Sequence, residues 1–280
     1  MPEKSQLGRV RIRGAHQYRE AAEQGWRLAW AQVELGRMYE KGFGVPKDYK
    51  EAMRWYRKAA DQGSAWAQTN LGWMYENGRV VTKDCKKAMK WWRKAADQGQ
   101  VNAQVILGIQ YTKGKCGPKD YKEAVRWYRK AADQGYAGAQ TNLGWMYENG
   151  FGVPKDYKEA IEWWRKAADQ GSAIAQANIG EMYRDEKGVP RDYKEAVRWY
   201  RKATEQGYGN AQYELGLMYR KGKGVLKDVV MAHKWWNIAS VSGHKKAIAE
   251  RGVAENKMTP SQIQEATRLA REWMEKHRKK

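Results

Sequence analysis

The stretch DYKEAMRWYRKAADQG at 48–63 returns as DCKKAMKWWRKAADQG at 84–99 and DYKEAVRWYRKAADQG at 120–135. It returns again as DYKEAIEWWRKAADQG at 156–171, DYKEAVRWYRKATEQG at 192–207 and, more loosely, DVVMAHKWWNIASVSG at 228–243. The spacing is 36 residues throughout, and Asp48, Trp55 and Gly63 keep it through Asp228, Trp235 and Gly243. A fixed period of this length is the signature of a repeat architecture. Six full units run from about Ala31 to about Lys246, and Tyr18–Gly25 copies only the end of a unit, an N-terminal half repeat. A double period lies on top: the residue after the repeat Trp alternates as Tyr56, Trp92, Tyr128, Trp164, Tyr200, Trp236. QTNLGWMYENG stands unchanged at 68–78 and 140–150, so a pair of units was copied as a block.

Each unit reads as two helices. In the first, Ala67, Leu71, Met74 and Tyr75 recur with the spacing of one helical face. In the second, Ala52, Trp55, Tyr56, Ala59 and Ala60 form an apolar stripe opposite Lys50, Glu51, Arg54, Arg57 and Lys58. Asp48 with Glu51, and its copies Asp120, Asp156 and Asp192, have capping-box spacing. Gly63 and its copies supply the helix stop. Gly36, Gly72, Gly108, Gly144, Gly180 and Gly216 fall inside the first helices, where Gly costs roughly 1 kcal/mol against Ala. Close approach of the Ala59/Ala60 pair is the packing reason expected for them. The nine Trp of the second helices, at 55, 91, 92, 127, 163, 164, 199, 235 and 236, are predicted core.

The whole chain fits this reading. It has 280 residues, with Lys+Arg 53 against Asp+Glu 32 for a net charge of +21. Its apolar runs are a few residues, far below the roughly 20 of a spanning helix. The first residues have no apolar leader core, so the expected setting is the cytoplasm, or the periplasm or outside the cell if a leader was removed. Cys85 and Cys116 are too few for a disulfide framework and are read as two free thiols, the alternative being a bridge that would need the second-helix start and the next unit's turn to lie together.

The unit A-x-A-Q-x-x-L-G-x-M-Y-x-x-G-x-G-V-x-K-D-Y-x-x-A-x-x-W-Y-x-K-A-A-x-Q-G closely resembles the Sel1-like repeat, a relative of the tetratricopeptide repeat. The resemblance implies an all-α fold: a right-handed α/α solenoid of six helix-turn-helix repeats whose first helices line a concave groove. It also implies a scaffold or adaptor that assembles protein complexes in bacterial regulation, host interaction or toxin immunity. The organisation expected is a segment with the half repeat at 1–30, repeats at 31–246 and C-terminal capping helices at 247–280. Departures are Gln110 for Met, Cys116-Gly117 for Gly-Val, Glu186 for the turn Gly and Val229 for Tyr. A branch of the family with one disulfide per repeat is disfavoured, because the positions near Ala60 and Gln68 hold Ala and Gln.

No catalytic residue, metal site or cofactor motif emerges. The four histidines have no ligand spacing, and His233 is read as solvent-exposed. Gly-x-Gly falls between helices, not after a strand. The variable stripe of the first helices, opposite the fixed core stripe, is the candidate groove: Trp66, Asn70, Trp73 and Asn77; Asn142, Trp145 and Asn149; and Arg37, Ile109, Asn178, Glu181 and Leu217. A protein or peptide partner bound by a monomer is the expectation, and the basic charge suits an acidic one. The alternative is a polyanion, nucleic acid included, held by a basic ladder on the second helices: Arg54, Arg57, Arg126, Arg129, Arg198 and Arg201.

Overall fold

The computed structural model describes residues 18–20, 22 and 29–278, so half of the N-terminal half repeat and the first 17 residues lie outside the described residues. Among the described residues there is no strand. The chain divides into two compact units between Gln134 and Gly135. The first contains α1 (Ala29–Lys41), α2 (Tyr49–Asp61), α3 (Ala65–Asn77), α4 (Cys85–Asp97), α5 (Val101–Lys113) and α6 (Tyr121–Asp133). The second contains α7 (Ala137–Asn149), α8 (Tyr157–Asp169), α9 (Ala173–Asp185), α10 (Tyr193–Thr204), α11 (Gly209–Lys221), α12 (Val229–Val241), α13 (Lys245–Glu255) and α14 (Pro260–Arg278). Within each unit a helix packs mainly on its partner in the same repeat and then on the next repeat. That is the nearest-neighbour stacking of an α-solenoid.

Local chemistry sets the helix ends. Asp48 accepts from the Lys50 and Glu51 N–H groups, and Asp120, Asp156 and Asp192 cap their helices alike. The Glu of the expected capping box turns outward instead, Glu51 to Arg54 at 3.4 Å and Glu123 to Arg126 at 3.1 Å. At the chain's end the box is complete: Thr259 N–H donates to Gln262 Oε1 at 2.9 Å, and Gln262 N–H to Thr259 Oγ1 at 3.3 Å. α14 then lies on α12 through Ala266 and Ala270, closing the last apolar face.

The mid-helix glycines have a different partner from the expected alanines. The second aromatic of each Trp-Tyr or Trp-Trp pair lies directly on the glycine backbone. A Cβ on Gly72 would be 2.2 Å from Trp92 Nε1, and one on Gly108 would be 2.4 Å from Tyr128 Cε1. The alternation is two ways of filling one slot. Trp92, Trp164 and Trp236 donate their indole N–H to the carbonyls of Thr69, Thr141 and Tyr213 at 3.0–3.2 Å. Tyr56 instead sends its hydroxyl to Glu40 at 2.9 Å. Seven of the nine predicted core Trp are buried; Trp91 and Trp199 are half-buried against the same clusters.

Two further expectations are overturned. Cys85 and Cys116 form a disulfide, with Cα atoms 5.0 Å apart. Within each unit the start of a second helix meets the turn of the following repeat. There a Cβ on Gly188 would sit 2.6 Å from Tyr157 Cβ, and one on Gly224 would sit 2.1 Å from the Tyr193 carbonyl oxygen. Cys85 and Cys116 occupy that same contact, 31 residues apart in sequence. His233 is 1% exposed, not solvated. Its position is that of Met53, Val125, Ile161 and Val197, all buried, and its Nε2 is 2.9 Å from Glu255 Oε1 on α13.

A feature the sequence did not announce links the repeats: Gln62 donates to Gln32, Gln98 to Gln68 and Gln134 to Gln104 at 2.8–2.9 Å. Gln170 and Gln206 do the same with Gln140 and Gln176. The acceptor glutamines are buried, and Gln68 and Gln104 also donate to the Ala60 and Ala96 carbonyls. Buried polar atoms so satisfied fix how one repeat sits on the next.

Candidate functional site

In the first unit, the stripe of α3 stands clear of the core. Trp66 is 60% exposed and Trp73 43%, while Asn77 is exposed and Asn70 half-buried. Trp73 packs in a T-shaped contact with the buried Trp92, with centroids 5.6 Å apart, so the indole is held on its inner side and open to solvent on the other. Asn77 Nδ2 donates to the Trp73 carbonyl at 2.8 Å. The Asn70 amide has no partner among the described residues, leaving two donors and an acceptor available. Asn70, Trp73 and Asn77 meet Glu40, Tyr49 and Arg79 around a small cavity of 150 Å³.

Tyr49 and Arg79 were not candidates from sequence. They meet because the second-helix start touches the next repeat's turn: Arg79 donates to the Tyr49 hydroxyl and lies 4.6 Å from its ring centroid. The signal was the 30-residue offset, which also pairs Tyr193 with Lys223 at 3.0 Å. Arg37, another candidate, is exposed and paired with Glu34 at 2.5 Å. Ile109 is half-buried, and its stripe neighbour Ile106 is buried in the core.

In the second unit, Trp145 is exposed, with Phe151 at 5.0 Å, and Asn149 Nδ2 donates to the Trp145 carbonyl at 2.9 Å. Asn142 and Asn178 are half-buried, and their amides have no partner among the described residues. Glu181 lines a cavity of 360 Å³ with Asn210, Tyr213, Glu214 and His244. Burial raises its carboxyl above the usual range, against the lowering effect of Arg184. Arg184 is held by Glu214 and, at 2.7 Å, by Asp185. Leu217 is half-buried against the cluster formed by α12, α13 and α14.

The basic ladder is engaged within the fold. Arg54, Arg126 and Arg198 pair with the Glu three residues earlier at 3.1–3.4 Å. Arg57 and Arg201 donate to the hydroxyls of Tyr75 and Tyr219, and Arg129 is likewise not free. Lys58, Lys130 and Lys202 stand over the rings of Trp55, Trp127 and Trp199 at 4.1–4.5 Å. Cations on indole faces are worth about 0.5–1 kcal/mol at exposed sites, so these side chains have a structural use. Among the described residues no His, Cys, Asp and Glu group could hold a metal ion, and no helix is long and apolar enough to cross a membrane.

Stacked antiparallel helix pairs with a variable exposed stripe define a repeat protein of the α-solenoid class. The chain belongs to the Sel1 repeat family, which it matches over residues 31–64, 67–100, 101–136, 137–172, 173–208 and 209–244. Among solved structures it is similar to a protective antigen of uropathogenic Escherichia coli with an SLR fold. That likeness is 38% identity over 97% of this chain, with a TM-score of 0.86. The chain spans 60% of the length of that protein. A Sel1 repeat protein from Oxalobacter formigenes is 36% identical over 75% of this chain and 84% of its own, with a TM-score of 0.67. No curated protein matches the sequence.

Proposed function

We propose that the chain is a non-catalytic scaffold that holds a protein or peptide partner against the exposed stripe of its first helices. The observation that carries this reading is Trp73. A large indole is fixed by Trp92, open to solvent, and flanked by the unpaired Asn70 amide over a side-chain-sized cavity. Aromatic anchors beside a pocket are the usual bearers of binding energy at interfaces. Asn70 can hold a partner's backbone while the indole covers an apolar side chain. Trp145 with Asn142 repeats the pair in the second unit.

The setting proposed is outside the cytoplasm. A disulfide persists in oxidising compartments, and the Escherichia coli relative is a protective antigen. A host-facing role fits both.

The test is capture of binding proteins on immobilised chain, with variants as matched baits. Trp73→Ala with Trp145→Ala should weaken retention of a specific partner at least roughly thirtyfold, the equivalent of about 2 kcal/mol. Arg54→Glu with Arg126→Glu should do much less. The reading fails if charge reversal abolishes capture while the Trp double variant retains it.

A further inference from the structure

On the second-helix side of the first unit, a cleft of 580 Å³ opens beside the disulfide, between α4, the end of α5 and the turn into α6. Three departures from the repeat set its volume, its floor and its charge. Where the other turns carry Val45, Val81, Val153, Val189 and Val225, this turn has Gly117. Val45, Val81, Val189 and Val225 pack against their cores, so a residue without a side chain leaves that volume open. Where the other first helices carry Met, α5 has Gln110, whose Nε2 donates to Glu76 Oε1 at 3.0 Å. Its buried Oε1 has no partner among the described residues, so the cleft has a polar side at its floor.

The third departure is electrostatic. Lys87 stands where Glu51 and Glu123 stand in the flanking repeats, and it turns to Asp84 at 3.4 Å. Arg54 and Arg126 have their glutamates; Lys90, in the same position on α4, has no partner among the described residues. Lys86, one turn earlier, likewise has no partner for its ammonium among the described residues. Both line the cleft, together with Arg93 and Lys94; the facing carboxylates are Asp97 and Asp120. Arg93 is tied to the Tyr111 hydroxyl, Lys94 lies 4.8 Å from the Trp91 ring centroid, and Asp120 caps α6. The cations left to act on a ligand are Lys86 and Lys90.

We propose that this cleft binds a small organic anion, its carboxylate or phosphate held by Lys86 and Lys90 and its ring-sized body against Met89, Tyr111 and Pro118. The volume lies within the range of about 300–1,000 Å³ of small-molecule sites. Ammonium-to-oxyanion hydrogen bonds are among the stronger polar contacts. A free sugar acid and the end of an acidic polysaccharide present the same chemistry.

The full chain would be titrated at low salt with glucuronate, glucose 6-phosphate and, as neutral control, glucose, by calorimetry and by tryptophan fluorescence. Saturable binding of an anionic sugar and none of glucose is expected. Lys86→Gln with Lys90→Gln should weaken it at least about tenfold, near 1.4 kcal/mol. Lys50→Gln with Lys122→Gln, the same charge change outside the cleft, should leave affinity within about twofold. Melting curves would establish that both variants are folded. Tighter binding of a glucuronate oligomer than of the monomer would assign the ligand to a polymer, and equal binding to a free sugar acid. Absence of saturable binding by both anionic sugars, or equal losses from the two double variants, would overturn the proposal.

Discussion

Gly72→Ala and Gly252→Ala make the same chemical change inside two helices, and the structure gives them opposite signs. Replacing a mid-helix Gly by Ala contributes about 1 kcal/mol from backbone propensity. At Gly252, in α13, an added Cβ meets nothing within 4 Å, so the variant should be stabilised by up to about that amount. At Gly72 the same atom would sit 2.2 Å from Trp92 Nε1 and 2.4 Å from its Cδ1. The ring cannot yield cheaply: it is fully buried, and its indole N–H is bonded to the Thr69 carbonyl at 3.1 Å.

Overpacking of this kind costs about 1–3 kcal/mol. Displacing the ring also orphans a buried donor, at about 1–3 kcal/mol. After the propensity gain, a net loss of about 3 kcal/mol is the middle of the range. Urea denaturation followed by circular dichroism and tryptophan fluorescence would measure both variants, with the slope m checking that cooperativity is unchanged. A Gly72→Ala chain as stable as wild type would refute the aromatic-slot account of the six glycines.

Trp127→Ala, which empties a site 1% exposed, should destabilise by about 3–5 kcal/mol, whereas Trp66→Ala at 60% exposure should stay within about 0.5 kcal/mol. Equal melting losses would defeat the division between core and stripe. Cys85→Ser should cost about 3–4 kcal/mol by the chain-entropy model for a 31-residue separation, and reductant should lower wild-type stability to a similar degree. Two alkylatable thiols in the unreduced native protein would show that the bridge is not made.

The repeat, its two helices and their caps were legible because each is a local rule applied six times. Asp48 caps because its side chain reaches N–H groups two and three residues on, and no tertiary contact enters. The apolar stripe of the second helix followed from period alone, as did the exposed stripe with Trp66 and Trp73. His233 shows a signal that was present but unused, since five preceding repeats place apolar residues at its position.

What the sequence could not supply are contacts between residues about 20 to 31 apart, which depend on how one helix pair docks on another. The Gly72–Trp92 slot, the Gln98–Gln68 bond, the Arg79–Tyr49 wall of the Trp73 cavity and the Cys85–Cys116 bridge all belong to this kind. Helical periodicity states which face a residue occupies, but only three-dimensional stacking states what that face meets. Thus sequence alone determined the helices, their repeat and most of the division of buried from exposed faces, His233 excepted. The tertiary structure decided which aromatic fills each glycine slot, that two distant cysteines are neighbours, and where missing side-chain volume and unpaired lysines leave a cleft.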